Sequence, residues 1–159
     1  MGQIITAGQI SKITQKLNLN KKRVVLVGGC FDILHLGHVI FLEKAAKKGN
    51  VLVVLLESDR DVAKRKGQGR PIHTQKDRAR VLAALSSVDF VVLLPKMKSD
   101  LAYDKIVQKI KPQVIATTAN DPEVEYKKRS AKNVNAEVKI VTKRIKDHSS
   151  SKTKFLLEN

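Results

Sequence analysis

Short, nearly continuous runs of valine, isoleucine and leucine are the feature that most restricts what this chain can fold into. Five such runs occur, at residues 24–27, 51–56, 90–94, 114–116 and 138–141. Successive side chains of a strand point to opposite faces of a sheet, so a run that is apolar throughout is buried on both faces. The runs therefore predict an α/β fold with a five-stranded, mostly parallel sheet and helices on both faces.

Segments with helical periodicity separate these runs. The predicted helices lie near residues 37–48, 74–86, 99–110 and 122–133. Asp121 and Pro122 fit the N-cap and first residue of the last of these helices. A capping-box pattern at residues 6–9 opens an apolar helical repeat, so we predict a leading helix within residues 1–20. No repeat or linker divides the chain, and we interpret residues 1–159 as one domain.

The turn after the first run carries the chemistry. Residues 28–40 contain two glycines, then Cys30, then His35, Gly37 and His38 at the start of a predicted helix. A helix N-terminus has unpaired N–H groups and the positive end of the helix dipole, so it attracts phosphate. Histidines three residues apart share one helix face, and a glycine between them leaves the backbone open. The turn indicates a site for a triphosphate that is attacked at phosphorus.

This turn matches the HxGH signature of the cytidylyltransferase-like nucleotidyltransferases, which are Rossmann-like domains of the wider HIGH superfamily. The resemblance continues through residues 69–72, 77–78, 81–85 and 88–92. There the chain is most similar to the heptose 1-phosphate adenylyltransferases, and less so to the glycerol-3-phosphate cytidylyltransferases and archaeal FAD synthetases. Residues 144–152 resemble the second family signature, an arginine followed five residues later by a hydroxyl-rich start of the last helix, at 150–159.

The resemblance implies a nucleotidyltransferase that moves a nucleoside monophosphate from Mg–NTP to a small phosphorylated acceptor and releases pyrophosphate. ATP with a sugar 1-phosphate is the expected pair; CTP with glycerol 3-phosphate or a similar polyol phosphate, and FMN adenylylation, are the alternatives. Mg²⁺ is expected to bridge the nucleotide phosphates, held by water and ligand oxygens. The family also implies a homodimer. No third ligand follows the two histidines at metal spacing, so no protein metal site is predicted.

The resemblance also assigns residues to the site. The catalytic set is His35, His38, Lys66 and Arg144. The nucleotide-binding set is Gly29, Cys30, Phe31, Gly37, Arg78, Asn120, Ser149, Ser150 and Ser151. Three of these assignments have structural alternatives. Lys66 belongs to a basic loop that either covers the triphosphate or is merely solvated. Arg78 either contacts the nucleotide or holds its helix by an ion pair, and a single serine of the run would suffice as an N-cap. Asp32 is expected to orient the turn by hydrogen bonds.

One loop departs from the family pattern. Where the heptose-phosphate relatives carry Lys-Gly-Gly-Asp, residues 117–120 read Thr-Thr-Ala-Asn. The side chains that replace the two glycines keep a ligand farther from the backbone. Asn120 replaces a carboxylate that would accept hydrogen bonds. This loop shapes the base and acceptor sites in the family, so base preference and acceptor identity stay open. His148 also differs from the family and has no assigned role.

The composition limits the other function classes. The net charge of +16 favours polyanions, but the lysines are scattered and aromatic residues amount to only 4%. Base stacking needs more aromatic surface, so nucleic acid is a disfavoured partner, and a non-catalytic nucleotide- or nucleic-acid-binding module is the rival hypothesis. No apolar run reaches membrane-spanning length and no signal pattern is present, so no membrane partner and a cytoplasmic location are expected.

Overall fold

The computed structural model describes residues 1–143. Its elements run in the order β1 (Gln3–Thr6), α1 (Ile10–Leu19), β2 (Val24–Gly29), α2 (Leu36–Ala46), β3 (Val51–Leu56), α3 (Asp59–Lys66), α4 (Gln75–Ala83), β4 (Phe90–Leu93), α5 (Asp100–Ile110), β5 (Val114–Thr118), α6 (Val124–Lys132) and β6 (Glu137–Thr142). A 3₁₀ turn at Ala7–Gln9 joins β1 to α1.

The strands form one parallel sheet of six in the order β1-β4-β3-β2-β5-β6. All five predicted apolar runs are strands of this sheet, which confirms the α/β class and the parallel arrangement. From β2 the chain moves to β3 and β4 on one side and then to β5 and β6 on the other. The strand order therefore reverses between β2 and β5, and ligands of open parallel sheets bind at the carboxyl ends of strands beside such a reversal.

Two apolar layers cover the two faces of the sheet. On the first face α2 and α4 pack on Val25, Val27 and Val54. On the second face α1, α5 and α6 pack on Val24, Leu26 and other residues of the opposite parity. The burial of these runs on both sides predicted helices on both faces of the sheet. Successive residues of β2 accordingly belong to the two apolar layers in turn.

The leading helix predicted within residues 1–20 is present as α1, but the expectation of five strands was wrong, because a sixth strand precedes that helix. Residues 3–6 form β1, a short edge strand beside β4, and α1 begins only at Ile10. Only Ile5 of β1 is buried, so the strand has neither a continuous apolar run nor a long alternation to mark it. The predicted pairing of Thr6 with Gln9 is present: the Thr6 N–H donates to Gln9 Oε1 at 2.8 Å.

Two further predictions need correction. The basic segment at residues 64–66 is the last turn of α3, a helix that begins after the N-cap Ser58. The last described helix, α6, has Glu123 rather than Asp121 as its N-cap. Asp121 instead accepts a hydrogen bond from the Glu123 N–H at 2.9 Å and closes the turn that precedes the helix.

In the part of the chain described, no helix is long and apolar enough to cross a bilayer. The helix predicted at 150–159 lies outside the described residues.

Packing of α4 on the sheet gives a stability test with a built-in control. Leu82 is fully buried, whereas its neighbour Val81 is 50% exposed. Leu82→Ala should lower the free energy of unfolding by about 2–5 kcal/mol, because it removes buried apolar contacts and leaves a cavity. Val81→Ala should change it by less than about 0.5 kcal/mol. Urea unfolding measures both, and similar losses in the two variants would contradict the packing described.

Candidate active site

The candidate site begins where β2 ends, at the carboxyl edge of the sheet. Gly28 and Gly29 close this strand, and each leaves room for an aromatic side chain on one face of the sheet. A Cβ on Gly28 would lie 2.7 Å from Tyr103 Oη, and one on Gly29 would lie 3.0 Å from Phe31 Cε2. Side chains at either position would displace these rings, so the two glycines are required by close packing on opposite faces.

Phe31 follows the glycines in the left-handed region, with φ at 43°. Its side chain is only 4% exposed and belongs to the core beneath α2. The ring also packs against His38, with a centroid distance of 5.2 Å. Phe31 was predicted to bind nucleotide, and its buried ring leaves only the backbone for such a contact. The side chain supports His38 from below.

His35 and His38 lie together at the start of α2. Their rings stack with centroids 3.8 Å apart and planes inclined by 22°. His35 is the N-cap, and its carbonyl accepts a hydrogen bond from the His38 N–H at 2.9 Å. Gly37 stands between them in the first turn. The predicted convergence of the two imidazoles on one helix start is thus present in the fold.

Burial is the main reason that the pKa of His38 falls to about 3, and the nearby charges of His35 and Lys66 lower it further. A hydrogen bond with the Ile33 backbone opposes the shift. His38 is therefore neutral at neutral pH. A neutral imidazole has one N–H, which His38 can give either to the Ile33 backbone or to a phosphate oxygen, while cationic charge comes from lysine and arginine.

Lys66 ends α3 close enough to His38 to influence its pKa. Gly67, with φ at 91°, is the C-cap of this helix. The cation predicted to meet the phosphates therefore stands on a helix terminus beside the histidines rather than within a loop. Its side chain is half-buried.

Asp32 fastens the turn to the loop that follows α3. Its Oδ1 accepts hydrogen bonds from the backbone N–H groups of Ile72, at 2.8 Å, and His73, at 3.2 Å. Its Oδ2 lies 2.8 Å from Arg70 Nη2 in an ion pair whose side chains are 0% and 5% exposed. Both oxygens of Asp32 thus hold the protein together, which agrees with the orienting role expected for this residue.

Arg78 is wholly buried, and its contacts differ from the nucleotide contact expected of it. Its guanidinium donates to the carbonyl oxygens of Cys30, His73 and Glu57 and to Asp59 Oδ1, with distances of 3.1 Å to His73 and 2.8 Å to Glu57 and Asp59. The side chain has no surface to offer a ligand. Arg78 is a positioning residue: it ties the glycine turn to the loop before α4 and to the end of β3.

The loop after β5 is held by a lysine. Lys127 on α6 pairs with Asp121 and donates to Thr117 Oγ1 at 3.1 Å, and Thr117 in turn donates to Asp121. Burial alone would raise the pKa of Asp121, but the hydrogen bonds from Lys127 and Thr117 hold it below its ordinary value. Asn120, predicted to bind nucleotide, is exposed at the tip of this turn, with φ at 58°.

Two residues near the turn escaped the sequence analysis. Glu57 follows the last residue of β3, and its Oε2 lies 2.5 Å from Arg65 Nη2. Tyr103 on α5 places its hydroxyl beside Gly28. Glu57 could have been found, because it directly follows an apolar run at the sheet edge where ligands bind. Tyr103 had no such signal, since its position depends on how α5 packs.

Part of the predicted site lies outside the described residues: Arg144, Ser149, Ser150 and Ser151, together with His148. Within residues 1–143 no group of three or more His, Cys, Asp or Glu side chains is arranged to hold a metal ion.

Comparison with known proteins matches residues 26–154 to the family model described as cytidylyltransferase-like. The chain belongs to this family. Membership makes it a nucleotidyltransferase domain, as the HxGH turn predicted, and the strand–turn–helix built by β2 and α2 lies within the matched range.

Among curated relatives of this cytidylyltransferase-like chain, the bifunctional protein HldE of Aliarcobacter butzleri (strain RM4018) is 45% identical over 112 residues, which are 70% of this chain and 23% of that protein. HldE of Helicobacter pylori (strain J99 / ATCC 700824) is 40% identical over 111 residues, with the same shares of the two chains. The chain spans less than a quarter of the length of these relatives.

Two solved structures resemble the fold. The lipopolysaccharide core biosynthesis protein of Thermoplasma volcanium GSS1 has a TM-score of 0.62 and 30% sequence identity, over 79% of this chain and 99% of that one. Pantoate-beta-alanine ligase of Francisella tularensis, complexed with beta-gamma ATP and beta-alanine, has a TM-score of 0.67 over 99% of this chain and 77% of that one. At 15% identity the second likeness concerns the fold alone.

The buried pair of Asp32 and Arg70 gives a second stability test. Asp32→Asn should lower the free energy of unfolding by about 3 kcal/mol, because it removes the charge that Asp32 sets against the buried Arg70 guanidinium. The matched control is Glu125→Gln, since the pair of Glu125 with Lys128 is exposed and should contribute less than about 0.5 kcal/mol. Urea unfolding at neutral pH measures both. Equal small losses would show that the Asp32 pair does not hold the turn.

His38 should make stability depend on pH in mild acid. Its pKa is about 3 in the folded state and about 6.5 when unfolded. The unfolded chain therefore binds a proton that the folded chain does not, and the stabilisation by neutral His38 is lost as the pH falls from 6.5 towards 3. Between pH 6.5 and 5, His38→Asn should remove up to about 1.4 kcal/mol per pH unit from the wild-type slope of unfolding free energy. Urea unfolding at several pH values measures the slope, and an unchanged slope in His38→Asn would contradict the burial of a neutral His38.

Proposed function

We propose that this chain transfers AMP from MgATP to a sugar 1-phosphate and releases pyrophosphate. The observation that carries the proposal is the stacked pair of His35 and His38 at the start of α2, with the end of α3 beside it. The two HldE relatives and the lipopolysaccharide core biosynthesis protein support a sugar phosphate as the acceptor. Two alternative reactions are tested against this choice. One transfers CMP from CTP to a polyol phosphate, and the other adenylylates FMN.

In the proposed reaction an oxygen of the acceptor phosphate attacks the α-phosphorus of ATP. The new P–O bond forms as the bond from the α-phosphorus to the β-phosphate oxygen breaks, and pyrophosphate leaves with that electron pair. Because an ionised phosphate is already a nucleophile, no side chain needs to remove a proton. The protein contributes positioning and stabilisation of charge on the phosphoryl oxygens.

His35, His38 and Lys66 are the residues we assign to this stabilisation. Neutral His38 donates an N–H without carrying the desolvation cost of a buried cation. Lys66 supplies positive charge at the neighbouring helix end. Backbone N–H groups of the turn, at Gly29, Cys30 and Gly37, are proposed to complete the cradle for the phosphates. Arg144 and the three serines are proposed to close it from the C-terminal side, and Asn120 to approach the base.

Mg²⁺ is proposed to arrive with the triphosphate. It prefers oxygen ligands, keeps several waters and is commonly held through substrate phosphates. Asp32 fits this arrangement, because both of its oxygens are engaged by Ile72, His73 and Arg70. The ion would then offset negative charge on the phosphates that the histidines and Lys66 position.

The resemblance also leads us to propose a homodimer that works in the cytoplasm, where nucleoside triphosphates are made. Light scattering of the purified chain reports the oligomeric state. A monomer at micromolar concentration would contradict the proposed dimer and would leave the proposed transfer reaction unaffected.

The function is tested by pyrophosphate release. The wild-type chain, with Mg²⁺ and either ATP or CTP, is assayed against sugar 1-phosphates, glycerol 3-phosphate and FMN. We expect turnover with ATP and a sugar 1-phosphate. His38→Ala should reduce kcat by about 10²–10³-fold, because it removes a donor that acts on the transition state, and should weaken ATP binding far less.

His73→Ala is the control, since His73 is exposed and its imidazole makes none of the described hydrogen bonds. Equal loss of ATP affinity and turnover in His38→Ala would indicate plain binding. No turnover with any acceptor, combined with RNA or DNA binding that persists above physiological salt, would favour the non-catalytic rival.

A further inference from the structure

A second wall of the site lies on the opposite face of the sheet from the histidines. The register pairs Gly28 with Leu55 and Gly29 with Leu56, and the Glu57 N–H donates to the Gly29 carbonyl at 3.1 Å, which extends the ladder by one residue. Leu55 belongs to the apolar layer beneath α5, and alternation assigns Glu57 to that same face. Tyr103 of α5 reaches the edge there, beside Gly28.

Glu57 is held firmly yet remains reachable. Its N–H is bound by Gly29, and its carbonyl accepts a hydrogen bond from Arg78 at 2.8 Å. Its carboxylate meets Arg65 through Oε2 and stays 26% exposed. A carboxylate has about four positions for accepting hydrogen bonds, so the contact with Arg65 leaves acceptor capacity towards the site. Arg65 also offsets the negative charge, which would otherwise repel a phosphorylated ligand.

Tyr103 supplies a hydroxyl at a fixed place. Its ring packs edge-on against Tyr126 at a centroid distance of 5.7 Å. Burial and the charges of Tyr126 and Glu57 raise its pKa, so the phenol stays protonated and can donate as well as accept. The hydroxyl of Tyr126, in contrast, is used inside the protein: it bonds to the Asp100 carbonyl and to Asp104 Oδ1, each at 3.1 Å.

We propose that Glu57 and Tyr103 form a hydroxyl-recognition wall that binds the sugar hydroxyls of the acceptor. This inference rests on the proposed function and names the part of the acceptor that the second face contacts. A sugar hydroxyl donates and accepts hydrogen bonds, which matches a carboxylate acceptor beside a phenol. A phosphate group does not match, because an ionised phosphate has only acceptor oxygens and no hydrogen to donate to the Glu57 carboxylate. The acceptor therefore lies with its phosphate towards the histidines and its ring hydroxyls towards α5.

The test compares KM values in the pyrophosphate-release assay for Tyr103→Phe and Glu57→Gln. The acceptors are the sugar 1-phosphate with the fastest wild-type turnover and its single-deoxy analogues. Each variant should raise the KM for the intact sugar phosphate by about tenfold, as expected for one lost hydrogen bond to a substrate hydroxyl, and leave the KM for ATP within about twofold. One deoxy analogue lacks the hydroxyl that the substituted residue binds. For that analogue the wild-type and variant KM values should be equal, because neither protein can form the hydrogen bond.

Two controls separate recognition from folding. Tyr126→Phe removes the same atom from the neighbouring ring, and Glu125→Gln makes the same change at an exposed residue; both should keep the wild-type KM for each acceptor. If Tyr103→Phe and Glu57→Gln behave like these controls while wild-type turnover stands, the hydroxyl-recognition wall is wrong and the function survives. If the wild-type chain turns over no sugar 1-phosphate, the proposed function fails and this inference fails with it.

Discussion

Two buried charged side chains hold the functional end of this fold in place. The turn after β2 follows two glycines and includes Phe31 in the left-handed region. Asp32 takes the backbone N–H groups of the loop before α4, and Arg78 takes the carbonyls of both the loop and the turn. Backbone groups of both segments thus bind a buried charged side chain. The placement of the histidines relative to α3 follows from this cross-link.

The sheet then divides the chemistry between its faces. On the α2 face, burial keeps His38 neutral, Phe31 packs against its ring, and Lys66 supplies charge from the end of α3. On the α5 face, Glu57 and Tyr103 present a carboxylate and a phenol. The two glycines at the end of β2 allow both walls to approach the same strand. An anion-binding wall and a hydroxyl-binding wall can therefore serve opposite ends of one phosphorylated substrate.

The sequence predicts those strands and site residues that a short local pattern of residues marks. Strands buried on both faces show themselves as apolar runs, and the HxGH turn marks its helix start by composition alone. The edge strand β1 has one buried residue, and α3 has Val62 as its only buried residue among acidic and basic ones, so neither leaves an apolar period. Arg78 matched the family, but its burial among carbonyls depends on the packing of α4. Tyr103 and Glu57 are brought together by register and helix packing, which no short window of sequence contains.

Cys30 has a practical consequence. It is the single cysteine of the chain, its carbonyl accepts a hydrogen bond from Arg78, and the residue is partly exposed just after β2. A ligand bound at this turn should shield the thiol, so the rate of its alkylation would report occupancy of the site for each nucleotide without any engineered cysteine.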